Sequence, residues 1–181
     1  MVSHLGRVWS DGDPFVLLDR ALADGWEAQV DDYEQLVVGA LGRGEVEIAV
    51  GAGRGVLLGH EAGEGALEVF RLGARDLLAL IASYADEPDV EEMARDAAGV
   101  EASPLARIDV RCGEVVFVRA AVPWSETRVA VEAPGSVAAR DRGAVATDAL
   151  VVQLPPSGYA VGAIRVDRDR YGLDAWRIRG P

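Results

Sequence analysis

The sequence predicts an α+β protein, mainly antiparallel β, built as two similar β halves joined by a helical segment. Three observations carry that expectation. Short runs of alternating apolar and polar residues recur along the chain, as half-buried strands require. In "GEVEIAV", for instance, Val46, Ile48 and Val50 face one way and Glu45, Glu47 and Ala49 the other. Turn residues separate these runs at hairpin spacing, which favours antiparallel pairing. The two ends of the chain also look alike: "FVLLDRALADGWE" is matched by "VVFVRAAVPWSE", so that Trp26 corresponds to Trp124. Behind each comes strand, turn, strand, as "VEIAVGAGRGVLL" and as "LVVQLPPSGYAVG".

Taken in order, Asp11-Gly12-Asp13-Pro14 is turn chemistry, and Phe15 to Leu18 is a short strand after it. Asp19 is placed to cap a helical turn ending near Gly25, and Asp31 or Asp32 to cap another short helix with Gly42 past its end. Val46 to Val50 and Val56 to Leu58 form a hairpin around the intervening glycines. In "ARDLLALIASYADEP", Leu77, Leu78, Leu80, Ile81 and Tyr84 recur at three- and four-residue spacing, which predicts a helix stopped by Pro88. Asp86 and Pro88 fit the start of a second helix, "PDVEEMARDAAG", with Gly99 beyond its end.

The remainder reads as strands. "RIDVRC" places Ile108, Val110 and Cys112 on one face, and Val115 to Val118 returns after a turn at Gly113-Glu114. "TRVAVEA" alternates through Val129 and Val131 to Pro134-Gly135. Two more strands flank Pro155 to Gly158, and "LDAWRIR" closes the chain. The expected core includes Val46, Ile48, Val50, Val56 and Leu58, with Leu77, Leu80 and Ile81 packing onto a sheet. The whole, 1–181, reads as one compact domain with sub-halves 1–73 and 103–181 joined by helices within 74–99.

Half of the residues are apolar, as in a globular chain. No apolar run approaches the ~20 residues of a membrane helix, and "MVSHLGRVWSDGDP" lacks the basic-then-apolar order of a signal peptide. The single cysteine, Cys112, precludes an intrachain disulfide. These features together suit the cytoplasm. A net charge of −12 opposes binding of nucleic acid through phosphates and suits a partner with a basic face. All positive side chains are Arg; without Lys there is no Walker-type phosphate loop, Schiff base or kinase-type ion pair.

The densest motif is "VGAGRGVLLGH", where Gly51, Gly53, Gly55 and Gly59 surround Arg54. A dinucleotide fingerprint needs a helix after its glycines; here an apolar strand follows, so the stretch reads as a hairpin. His60 and Glu61 come next. With only two histidines, His4 lying near a frayed end, and no HxH, HxxxH or CxxC spacing, neither a metal nor a cofactor is expected. His60 reads as a surface or partner-contact residue. Cys112 reads as a buried structural thiol, and no serine lies in GxSxG, so no catalytic residue is assigned. Glu61, Glu64 and Glu68 form one acidic cluster, and Asp86, Glu87, Asp89, Glu91 and Glu92 another. Each is either a solvated face or a docking patch for a basic protein. Trp9 and Trp26 sit beside turns, where partial exposure would suit protein contact.

The order of the segments "WSDGDPFVLL", "DDYE", "VGAGRGVLLGHE", "VVFVRAA" and "LPPSGYAV" resembles the immunity protein 21 family of actinobacterial polymorphic toxin systems. Trp9, Gly12 and Pro14 stand where that family opens with a Trp followed by Gly-Pro. Gly59-His60-Glu61-Ala62 stands where it has Gly-Asp-Glu-Pro, and Pro156-Ser157-Gly158-Tyr159 where it has Pro-Gly-Arg-Tyr. The resemblance implies a non-enzymatic protein that binds and neutralises a cognate toxin by occluding it. The alternative from the residues alone is a small-ligand-binding protein or enzyme with its site between the two β halves, using His60, Glu61 and Arg54.

Overall fold

The computed structural model describes residues 2–28, 33–42, 46–59, 65–85, 89–127, 129–131 and 147–181. Twelve described strands form two six-stranded sheets. They are β1 (Ser3–Ser10), β2 (Phe15–Asp19), β3 (Glu47–Val50), β4 (Gly53–Leu58), β5 (Gly65–Gly73) and β6 (Asp76–Ala85). After these come β7 (Ser103–Val110), β8 (Glu114–Arg119), β9 (Val129–Val131), β10 (Ala149–Gln153), β11 (Ser157–Asp167) and β12 (Tyr171–Arg179). A four-residue α1 (Gly39–Gly42) extends a π-helical turn at Tyr33–Val38, and α2 (Val90–Ala98) lies between β6 and β7. Among the described residues no helix is long and apolar enough to cross a membrane.

The first sheet runs β1-β5-β6-β12-β11-β7 and the second β3-β4-β2-β8-β10-β9. Each order is a mirrored list: a strand and the strand six places later in sequence stand at equal distances from the sheet centre. All pairings are antiparallel except β9 with β10, which is parallel.

Burial explains why the strands are so apolar. Phe15, Leu17, Val56, Leu58, Leu67, Phe117 and Tyr159 fill the space between the sheets. The outer face of the first sheet is covered by Met93, Ala94 and Ala97 of α2, which pack on Phe70, Leu78, Leu80 and Leu173. The outer face of the second carries Val16, Leu18, Val116 and Val118 under Ala23, Trp26, Val37 and Ala40. The order of layers is therefore helix, sheet, sheet, short helices. Each fully buried Leu, Val or Phe contributes roughly 1.5–3 kcal/mol through lost contact with water, so both covered faces favour apolar residues.

That double burial overturns one expectation. "DLLALIASYA" is strand β6 and not a helix. Leu77, Ala79 and Ile81 face the other sheet, while Leu78 and Leu80 face α2. A strand buried on both faces is a continuous apolar run, and such a run also satisfies helical spacing. The second expected helix is present as α2. Its cap is Asp89, whose Oδ1 accepts hydrogen bonds from the Glu91 and Glu92 amides at 3.0 and 3.1 Å; Asp86 lies outside the described residues. Gly99 is its C-cap.

Two turns cross between the sheets instead of folding back. Gly113-Glu114 does not make a hairpin, because β7 belongs to the first sheet and β8 to the second. The turn at Pro155-Pro156 likewise carries the chain between sheets. Local turn residues are the same whether a chain folds back or crosses over, so sequence could not separate the two. The hairpin of β3 and β4 is real: Val50 pairs with Gly53 across Gly51-Ala52, and Gly51 takes the left-handed φ of +53°. Leu22 packs directly on Gly53, since a Cβ there would stand 2.5 Å from Leu22 Cδ1 and that side chain would have to move. Of the expected core only Val46 is merely half-buried.

The N-terminal stretch is not frayed. It is edge strand β1, and His4 Nε2 lies 2.7 Å from Glu68 Oε2. Glu68 is 5 % exposed and also takes Arg7 at 3.0 Å, so it is not part of a solvated acidic cluster. Cys112 lies beyond the end of β7 and is exposed rather than buried.

Candidate functional site

The central strands β2 and β8 pair antiparallel, with Leu17 opposite Phe117. Each then turns into a short 3₁₀ helix on the outer side of the second sheet, Arg20–Gly25 after β2 and Trp124–Glu126 after β8. The two corners are hydrogen-bonded together, the Trp124 amide donating to the Trp26 carbonyl at 2.9 Å. Between them lies a cleft of about 670 Å³ lined by Asp24, Trp26, Glu27, Pro123, Trp124, Ser125 and Glu126.

Three carboxylates and two indoles thus meet at one place. The Arg20 guanidinium sits over the Trp124 ring, its Cζ 4.7 Å from the centroid, and 3.6 Å from the Asp24 carboxylate. A cation on an indole face beside a carboxylate is a favourable arrangement for a guanidinium. Trp26 is buried, against the expectation of partial exposure, and its indole N–H has no acceptor among the described residues. Ala28, just beyond, holds a left-handed φ of +44°, a conformation costing a residue with a Cβ about 1–2 kcal/mol.

The remaining expected site residues are distributed elsewhere. Asp89, Glu91 and Glu92 share the N-terminal turn of α2, but Asp89 is its cap and Glu92 pairs with Arg170 at 3.1 Å. Trp9 is 40 % exposed on β1, its indole N–H donating to Asp11 at 3.3 Å. Arg54 is tied to Glu47 across the hairpin at 2.8 Å. His60, Glu61, Glu64, Asp86 and Glu87 lie outside the described residues. Asp24, Glu27, Trp124 and Glu126 were not singled out as site residues. The signal was nonetheless present, since Trp followed by Glu is the shared element of the two similar chain ends.

Two polar knots hold the corners. Asp19 caps the first 3₁₀ helix through the Ala21 amide at 2.8 Å, and also accepts from the Arg111 amide and from Cys112 Sγ at 2.9 Å. Burial pushes its carboxyl up, but the Cys112 thiol and the Ala21, Arg111 and Cys112 bonds outweigh burial and hold it below its ordinary value. Burial and the bond to Asp19 push the Cys112 thiol up, which disfavours the reactive thiolate. On the other side Arg119 reaches Asp11 at 3.0 Å and Asp13 at 2.8 Å. Asp13 also accepts from Tyr33 Oη at 3.2 Å, and burial together with the Asp13 charge pushes that phenol up to about 12.

Among the described residues no group of three or more His, Cys, Asp or Glu side chains is placed to hold a metal ion. The cleft offers carboxylates and aromatic faces, which bind cations. Comparison with protein-family models, with curated proteins and with solved structures finds no match.

Proposed function

We propose that the protein is a binding protein of the immunity type, which neutralises a cognate toxin in the cytoplasm by covering it. The partner surface would be basic and arginine-bearing. The observation that carries this is the Arg20 guanidinium resting on Trp124 beside Asp24. It marks the geometry a partner guanidinium would adopt among Asp24, Glu27 and Glu126. The charge of −12 supports the same reading, because complementary charge speeds encounter and excludes wrong partners. So does the resemblance of the segment order to immunity protein 21.

We also read the two halves as diverged copies of one six-strand unit, linked by α2. The mirrored strand orders and the correspondence of Trp26 with Trp124 support it. The cleft then lies where the two copies meet.

The test is co-expression with the toxin encoded beside the gene. A stable complex and loss of toxin activity are expected. Reversing charge at Asp24 and Glu126 together should weaken the complex about tenfold or more; both side chains are exposed, so the fold should be unaffected. A neighbouring toxin that is neither bound nor inhibited overturns the reading.

A further inference from the structure

The mirrored topology sets two corners of the sandwich in equivalent positions, β1 against β10 and β7 against β4. The first is closed. The Trp9 amide donates to the Thr147 carbonyl at 3.1 Å, and Thr147 Oγ1 donates to the Arg7 carbonyl at 2.8 Å. Leu150 lies so close to Gly6 that a Cβ there would stand 3.2 Å from it. At the second corner, among the described residues, the Arg107 amide donates to Glu47 Oε1 at 3.4 Å. A cavity of about 340 Å³ lies between the sheets, with Leu57 and Gly59 on one wall. The opposite wall carries Ile81, Leu105, Ser103 and Trp176. That volume is within the range of small-ligand sites.

Strand register sets the chemistry of the cavity. Ala79, Trp176, Ala163 and Ser103 form one row across the first sheet. The adjacent inner-face row is Ile81, Asp174 and Arg165. An apolar floor therefore ends at the Arg165 guanidinium and the Asp174 carboxylate, with Asp167 beside the guanidinium. Arg165 stands 3.8 Å from Asp174 and 3.8 Å from Asp167, beyond hydrogen-bond distance, so the pair retains directed donors and acceptors. A ligand with only a negative charge would face both carboxylates, and one with only a positive charge would face the guanidinium. A molecule carrying both satisfies each.

We infer that this cavity binds a compact zwitterion with an apolar side chain, of the apolar α-amino acid class. Its carboxylate takes Arg165, its ammonium takes Asp174, and its side chain lies against Trp176 and Ile81. The site is distinct from the two-tryptophan cleft and does not depend on the partner proposed for it.

The experiment is calorimetric titration of the full chain with L-leucine, L-phenylalanine and L-tryptophan, alongside phenylpropionate and phenethylamine. The Trp176 indole N–H resonance, assigned through Trp176→Phe, reports the location. At least one amino acid should bind and shift that resonance. The two analogues, each lacking one charge, should bind about tenfold more weakly or worse. Asp174→Asn and Arg165→Gln should cause similar losses, and because both side chains are at the surface the melting temperature should not change. No binding by any of the three amino acids at millimolar concentration overturns the inference. So does an analogue that binds as tightly as its parent, or binding that leaves the Trp176 resonance unmoved.

Discussion

The two central strands of the second sheet end on opposite charges. β2 ends at Asp19 and β8 at Arg119, and each side chain reaches into the connection that enters the other strand. Asp19 is 1 % exposed, whereas the Arg119 side chain is 20 % exposed. The difference follows from what comes next in each half. A six-residue 3₁₀ helix follows β2 and needs an acceptor for its first amides. The three-residue turn after β8 starts later, at Trp124, and has no side-chain cap. A carboxylate that caps a helix and gathers a second loop is bound into the backbone. A guanidinium that bridges two carboxylates is an ion pair at the edge of solvent. The position is shared, but the energetic consequence is not.

The comparison predicts a ranking. Asp19→Ala should have the largest effect, because it takes a shared buried acceptor from the Ala21 and Arg111 amides and the Cys112 thiol and removes a cap, a loss of about 2 kcal/mol measurable by urea unfolding. The folded carboxyl titrates below its ordinary value of 3.8. Its contribution is therefore fully present above that pH and is lost as pH falls through the lowered folded value. Asp19→Asn should keep part of the stability and flatten that acid limb; an unchanged acid limb would break the comparison.

Arg119→Met should cost less, about 1 kcal/mol, since its pairs are partly solvated. The wild-type advantage over Arg119→Met should shrink in high salt, while the advantage over Asp19→Ala should not. Tyr33→Phe tests the same corner by spectroscopy. The wild-type phenol should titrate near 12, and its stabilising contribution, present below pH 10, should fade as pH rises toward that value. Losing a tyrosine that titrates near 10 instead would contradict the bond to Asp13. The smallest effect belongs to Ala28→Gly. Relief of the left-handed backbone against the entropy of glycine should leave a gain of about half a kcal/mol.

Most strands, the hairpin and the helix ending at Gly99 were legible, because alternation, turn residues and caps are local signals. The Asp19 cap was legible for the same reason. β6 was not: its apolar run is buried from two sides, and the residues that bury it come from α2 and from the opposite sheet. The site was half legible. The repeated Trp and Glu stood in the sequence, but nothing local brings Trp26 against Trp124 or places Arg20 on an indole. Glu68 looked like one more surface acid until β1 brought His4 and Arg7 onto it.

The sequence by itself determined which segments are strands on half-buried alternation, where the chain turns, and the strongly acidic charge. Those properties depend on neighbours within a few residues. Only the tertiary structure decided which turns fold back and which cross between sheets. It also decided that the apolar run Leu77 to Ala82 extends within β6 rather than coiling. Each of those outcomes depends on which distant surface covers a face, and burial energy is collected only when that surface arrives.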